Sequence, residues 1–448
     1  DIASCLVGSE MCIRDSIKGK RVGIMSRNCY EYGVNSFGAI LAGAVVVTIN
    51  QKKTWPELEY ELGLVEPSLI VNDGIDYGCR PDIEAAYGDK LRPMDAFRDS
   101  APAELVDCVG HDDLMVLMFT SGTTGRSKAV MLSERNFFTT VECQVKFGDA
   151  MLNYKHEHMP EDKNDVLSNF AILPLFHLGT FICLFVWACK GWALNLSADI
   201  RDFYRDLGLM HSDVMASAPM LVETIYNDMK RGRVSRLNGL WDLCCSSAAL
   251  DPKMLLELAQ NGFVVNQCYG MTETFGDGIL NFTQVEKHMS AVGKPDDHAE
   301  YKLDETGEIC IRGGCVMLGY YKDPEATAEV LDADGWFHTG DLARVDEDGF
   351  YYITGRKKNI IILDNGENVS PEELENLLSK CEAVKECIVR EKGKKICAVI
   401  YCSEADQQTV RDFITETNRT LPLYKRMSAV EFSTEPLPRT GTGKLLRK

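Results

Sequence analysis

Thr120-Ser121-Gly122-Thr123-Thr124-Gly125-Arg126-Ser127-Lys128 is the stretch from which the rest of the chain can be read. Before it, residues 114–119 form an apolar run that reads as a buried strand, and after it residues 129–132 read as a second short strand. Ser133 then stands where an N-cap belongs, ahead of a helix starting near Asn136. Gly122 and Gly125 allow positive φ, so successive N–H groups can converge on an anion. Hydroxyls from Thr120, Ser121, Thr123 and Thr124 and the ammonium of Lys128 add donors and a cation. That composition describes a polyphosphate cradle. The spacing G-x-x-G-x-x-K is not the Walker frame, and a polar surface turn has the same residues.

Strands alternate with helices on both sides of this loop. Residues 21–25 read as a strand, 28–44 as a helix, 45–49 as a strand, 55–64 as a helix and 68–71 as a strand. Residues 77–108 read only as a polar stretch. Further strands are expected at 165–175, 215–219 and 239–244. This alternation predicts an α/β fold with a doubly wound sheet. From Val292 the character changes to short strands and Gly/Asp turns, at 307–312, 335–337 and 350–354, which predicts a small β-rich subdomain. Gly355-Arg356-Lys357-Lys358-Asn359 is the expected domain boundary. It places a large N-terminal domain at 1–354 and a small α+β domain at 355–448.

The 448 residues carry a formal charge of −19, which disfavours a nucleic-acid groove or an anionic membrane surface. The most apolar region, 171–196, is interrupted by Pro174, His177 and Lys190, so no membrane span is expected, although peripheral membrane contact stays open. Seventeen cysteines are scattered without repeated C-x-x-C pairing, which reads as reduced thiols in a cytoplasmic protein. Residues 5–16 have no pattern that fits a fold and resemble translated sequencing-adapter sequence. Residues 1–16 are therefore set aside as non-native, with the preceding N-terminal part expected to be missing.

With these residues in place, the loop resembles the phosphate-binding loop of the adenylate-forming, AMP-binding superfamily. Relatives usually show T-S-G-T-T-G-x-P-K-G, where this chain has Ser127 and Ala129. Four further stretches carry the resemblance, and three of them also have a bland reading. Tyr269-Gly270-Met271-Thr272-Glu273-Thr274 is similar to the Y-G-x-T-E box, in which Tyr269, Gly270 and Met271 would border the nucleotide. Thr272 would face the α-phosphate, and Glu273 would offer a hard oxygen to Mg²⁺. Read blandly, it is an aromatic turn and a solvated acid. Trp336-Phe337-His338-Thr339-Gly340-Asp341 is similar to the ribose-binding segment, with Asp341 the acceptor, and Arg356 resembles a second nucleotide contact.

Leu437 to Lys444 is similar to the P-x-T-x-[ST]-G-K element, whose Lys, here Lys444, bridges carboxylate and α-phosphate; otherwise it is a basic tail. Pro174-Leu175-Phe176-His177 is similar to the L-P-x-F-H stretch of acyl- and aryl-CoA ligases, where His177 would lie beside the acyl tunnel; by base rate a His after a strand is structural. No Asp stands among residues 176–186 to pair a substrate α-ammonium, which favours a plain carboxylic acid. Phe181, Leu184, Phe185 and Trp187 read equally as tunnel lining and as core.

The resemblance, closest to bacterial fatty-acyl-CoA synthetases, implies activation of a medium- or long-chain fatty acid by ATP and Mg²⁺ to acyl-AMP. Transfer to coenzyme A would follow after the small domain turns about a hinge at Lys358. Gly366, Glu367 and Asn368 would then line the CoA path. Two alternatives stand beside it. One is a stand-alone adenylation domain that loads an acyl carrier protein; the other is a nucleotide-binding protein with impaired catalysis.

Overall fold

The computed structural model describes residues 18–98, 110–120, 126–162, 164–246, 250–276, 278–281, 286–363, 368–393, 395–439 and 445–446. It divides into two compact units. The first gathers the described residues of Asp1–Leu250, Met254–Glu300 and Ile311–Phe337. The second gathers Asp251–Lys253, Tyr301–Cys310 and those of His338–Lys448.

The first unit begins with strands β1 (Arg21–Met25), β2 (Val45–Thr48), β3 (Leu69–Asn72), β4 (Leu91–Pro93), β5 (Leu114–Thr120) and β6 (Lys128–Ser133). The runs Val45-Val46-Val47 and Ile70-Val71 are β-branched and fully buried, as strands covered by helices on both faces must be. The β1–β2, β1–β3 and β2–β5 pairs are parallel, and β6 returns antiparallel to β5. With Gly319–Tyr320 on its edge, this is a seven-stranded sheet.

A second sheet holds β7 (Ser168–Ala171), β8 (Ala193–Leu196), β9 (Val214–Ser217), β10 (Asp242–Cys245), β11 (Val264–Gly270) and β12 (Gly278–Leu280). Its order is β12-β11-β10-β9-β7-β8, parallel apart from β12. A core of aliphatic and aromatic side chains fills the helix layer Tyr30–Leu41, Glu134–His158 and Leu178–Lys190. Among the described residues no helix is long and apolar enough to cross a membrane.

The second unit holds most of a four-stranded sheet ordered β13 (Ala299–Leu303), β14 (Glu308–Gly313), β16 (Phe337–Val345) and β17 (Tyr351–Arg356), with the edge strand Gly319–Tyr320 counted as β15. Beyond it come the short pair β18 (Ile361–Ile362) and β19 (Asn368–Val369), then a three-stranded sheet of β20 (Glu386–Lys392), β21 (Lys395–Tyr401) and β22 (Ala429–Ser433). Helices Pro371–Leu378 and Gln407–Thr420 cover that sheet through Leu374, Leu378, Val410 and Ile414. The fold is α/β, as expected.

Three expectations are corrected. The polar stretch 77–108 contains the helix Arg80–Tyr87 and strand β4, both short and mostly exposed, so they lack the apolar periodicity that reveals a helix. The strand expected over 165–175 is confined to β7; beyond it the Asn28 side chain, not a neighbouring strand, binds the Leu173 carbonyl and the Leu175 amide. His177 therefore does not follow a strand directly; it occupies the N-cap position of helix Leu178–Lys190.

Candidate active site

Two of the sequence motifs meet in the first unit. Thr120 ends β5 and pairs across the hairpin with Lys128, the first residue of β6. Ser121, Gly122, Thr123, Thr124 and Gly125 lie outside the described residues. The flanks of that loop are held. Lys53 donates to Ser127 Oγ at 3.3 Å and pairs with buried Glu61, and the Arg126 guanidinium stands 5.4 Å from the Tyr60 ring centroid.

The Lys128 ammonium lies 4.6 Å from the ring centroid of Tyr320. The Tyr320 hydroxyl donates to Glu273 Oε1 at 3.0 Å, and the Met317 amide donates to the Glu273 carbonyl at 2.8 Å. Lys128, Tyr320 and Glu273 thus form one connected set. Burial, reinforced by the Glu273 charge, pushes the Tyr320 hydroxyl well above its ordinary range, so it stays a donor.

Tyr320 escaped the sequence reading. It sits in a two-residue strand paired with Val130 of β6, far downstream of the loop. The available signal was Gly319, whose φ of +134° favours glycine and whose Cβ would stand 2.7 Å from Thr327. Thr327 Oγ1 in turn accepts from the Tyr320 amide at 2.9 Å.

The box containing Glu273 follows from strand geometry. Tyr269 and Gly270 finish β11 and pair with Ile279 and Gly278 of β12. At Met271 the chain leaves the sheet into a 3₁₀ turn, Thr272–Thr274, in which the Thr274 amide donates to the Met271 carbonyl and the Phe275 amide to the Thr272 carbonyl. Phe275 closes the turn at φ +52° and is fully buried. Gly276 follows, and the position of a Cβ on it is 3.4 Å from the Leu178 side chain. His177, exposed at the start of that helix, is thereby placed next to the turn after the box. Its loop is fastened by Thr48 Oγ1 donating to the Phe176 carbonyl at 3.3 Å.

Phe181 and Phe185 are core residues. The Phe185 ring lies 4.7 Å from Phe37, 4.8 Å from Phe137 and 5.1 Å from Phe181, and Leu184 and Trp187 are buried in the same cluster.

In the second unit, Asp341 faces Arg356 across the β16–β17 ladder. Arg356 Nε reaches Asp341 Oδ1 at 2.6 Å and Nη2 reaches Oδ2 at 3.3 Å, a bidentate pair with the carboxylate buried. The segment before it is pinned. The Gly340 amide donates to Glu308 Oε1 at 2.8 Å, Lys357 donates to Glu308 Oε2 at 2.7 Å, and Thr339 Oγ1 donates to the Ile309 carbonyl at 2.8 Å. Lys358 occupies the short 3₁₀ turn Lys357–Asn359 directly after β17. Asn368 lies on β19, paired with Ile362, while Gly366, Glu367 and Lys444 fall outside the described residues.

Comparison with known proteins adds to this geometry. A profile described as AMP-binding enzyme matches residues 14–321, and one described as AMP-binding enzyme C-terminal domain matches 373–444. The chain is 32% identical to a feruloyl-CoA synthase of Amycolatopsis sp over 457 positions, covering 96% of this chain and 88% of the relative. It is 28% identical to a long-chain-fatty-acid–CoA ligase of Salmonella typhimurium, covering 96% and 85%. Among solved structures, an o-succinylbenzoate CoA synthetase from Bacillus subtilis, in complex with its acyl-adenylate intermediate, superposes with a TM-score of 0.80 at 23% identity. That match covers 100% of this chain and 90% of that one. At that identity the likeness establishes the fold.

Proposed function

The chain belongs to the AMP-binding enzymes, the AMP-dependent acyl-CoA ligase superfamily, and from that premise we propose that it is an acyl-CoA synthetase activating an apolar carboxylic acid. The observation that carries this reading is the Lys128–Tyr320–Glu273 set, which joins the hydroxyl-rich loop to the Y-G-x-T-E box.

A carboxylate is a poor electrophile, so the acid must first become a mixed anhydride with AMP. The loop from Thr120 to Lys128 would bind the β- and γ-phosphates, and Thr272 the α-phosphate. The donor set, a carboxylate oxygen of Glu273 beside a lysine-flanked phosphate loop, fits Mg²⁺, which when bound supplies charge neutralisation. Asp341, oriented by Arg356, would accept from the ribose. Lys444 would draw the carboxylate and the α-phosphate together. The second step needs the small domain, bounded at residue 355, to turn about Lys358 and bring Gly366, Glu367 and Asn368 to the CoA path. His177 would border the acid.

Two classes of acid have support. The stretches 356–361 and 365–373 resemble fatty-acyl-CoA ligases, and a long-chain-fatty-acid–CoA ligase is among the relatives, which favours a fatty acid. The feruloyl-CoA synthase relative and the core packing of Phe181 and Phe185 favour a compact aryl acid. We place the protein in the cytoplasm, in lipid or aryl-acid metabolism.

The test is a CoA thioester assay across octanoate, palmitate, ferulate, benzoate and several amino acids. Lys444→Ala should abolish acid-dependent pyrophosphate exchange, while pre-made acyl-adenylate still reacts with CoA. Equal loss of both half-reactions would overturn the division of labour. Pyrophosphate exchange without any CoA thioester would point instead to carrier-protein loading.

A further inference from the structure

β10 and β11 are neighbouring parallel strands, and both end where open α/β sheets bind ligands. Cys244 lies near the end of β10. Cys268 lies on β11 directly before Tyr269 and pairs with Leu280 of β12. Their sulfur atoms are 3.0 Å apart, in hydrogen-bond contact. Both residues are half-buried, whereas the adjacent Cys245 and the nearby Cys183 are buried. Cys245 sits on the opposite face of the strand, as alternation requires, and Cys183 donates to the Gly179 carbonyl of its own helix. We propose that Cys244 and Cys268 are a peroxide-sensitive dithiol that closes to a disulfide at the acid-binding end of the second sheet.

The chemistry balances with a hydroperoxide as oxidant. The Cys244 sulfur attacks one peroxide oxygen, the O–O bond breaks, and a sulfenic acid and one water form when the peroxide is hydrogen peroxide. The Cys268 sulfur then displaces the sulfenic oxygen as a second water, forming the S–S bond. Two thiol hydrogens and two electrons pass to the peroxide. Either sulfur can donate to the other in this contact, so the attacking and resolving roles are interchangeable between Cys244 and Cys268. Closing the bond shortens the 3.0 Å separation by about 1 Å and draws the end of β11 toward β10. Tyr269 and Gly270 continue that strand, so the box carrying Thr272 and Glu273 shifts with it. This consequence for turnover rests on the function proposed above; bond formation does not.

The experiment treats the full chain with hydrogen peroxide and maps peptides by mass spectrometry, alongside pyrophosphate exchange before treatment, after it, and after dithiothreitol. The expected result is one cross-linked pair containing Cys244 and Cys268, lighter by two hydrogens. Exchange should fall about tenfold or more, as small displacements at reacting centres do, and should recover on reduction. Cys268→Ser and Cys244→Ser should each lose the cross-link and the reversible inhibition. Cross-links confined to other cysteines, irreversible over-oxidation of Cys244, or a complete cross-link with unchanged exchange would each overturn the proposal. A protein with no exchange before treatment would refute the synthetase reading alone, since the peptide map is read independently.

Discussion

Tyr320 is where the site is most sensitive to a single side chain. Its ring carries the Lys128 ammonium and its hydroxyl donates to Glu273, so it couples the residue closing the proposed phosphate loop to the proposed metal ligand. Tyr320→Phe keeps the ring and removes the donor. Hydrogen bonds behind a metal ligand orient it, and their loss typically costs roughly ten- to a hundredfold in metal affinity or activity. The Mg²⁺ concentration giving half-maximal pyrophosphate exchange should therefore rise by that factor, with little change in the KM for the acid. An unchanged Mg²⁺ dependence would separate Glu273 from the metal. The Asp341–Arg356 pair is a different case. Both residues were legible from their motifs, but their bidentate contact required the β16–β17 register to be known.

At the scale of elements, the box depends on how closely β11 and β12 approach. A Cβ on Gly278 would stand 1.8 Å from the Tyr269 carbonyl oxygen and 2.9 Å from Gly270 Cα, both backbone atoms that cannot rotate away. Gly278→Ala should cost about 1–3 kcal/mol of stability, the usual range for overpacking, read from chemical denaturation. It should also raise the KM for ATP, because the displaced strand leads into Thr272 and Glu273. A variant with wild-type stability and kinetics would show that the two strands can part without consequence. The helix after β6 was correctly expected from Ser133. Ser133 accepts from the Asn136 amide at 3.3 Å, while Asn136 Oδ1 accepts from the Ser133 amide at 2.7 Å. Short exposed elements such as Arg80–Tyr87 carry no comparable signal, since they bury only Ile83.

For the molecule as a whole, stability varies with pH through groups that the fold hides from water. Asp242, fully buried on β10, has its carboxyl pushed up to about 8 by burial, and hydrogen bonds of 2.9 Å from Asn266 Nδ2 to both oxygens offset this only in part. Unfolded, it titrates in the ordinary range near 4. The folded form therefore holds the proton more tightly. Its contribution is complete below pH ~4 and is lost progressively as pH rises to about 8. Asp242→Asn cannot ionise and keeps one side-chain oxygen to accept from Asn266 Nδ2. Its Tm should exceed the wild-type value at pH 8 by about 2 °C or more, and the difference should shrink toward pH 5. A difference independent of pH would mean that Asp242 is already ionised in the fold. What the chain's residues determined unaided was the α/β class, the alternation of the longer, apolar strands and helices, and the positions of the motifs, because apolar periodicity and turn chemistry are local. Tertiary structure alone decided that Tyr320 links Lys128 to Glu273, that Phe181 and Phe185 pack in the core, and that Cys244 touches Cys268. Each of these depends on strand register or helix packing, which bring together residues far apart in sequence, as Phe185 with Phe37 and Phe137, and leave no mark on the spacing of either partner.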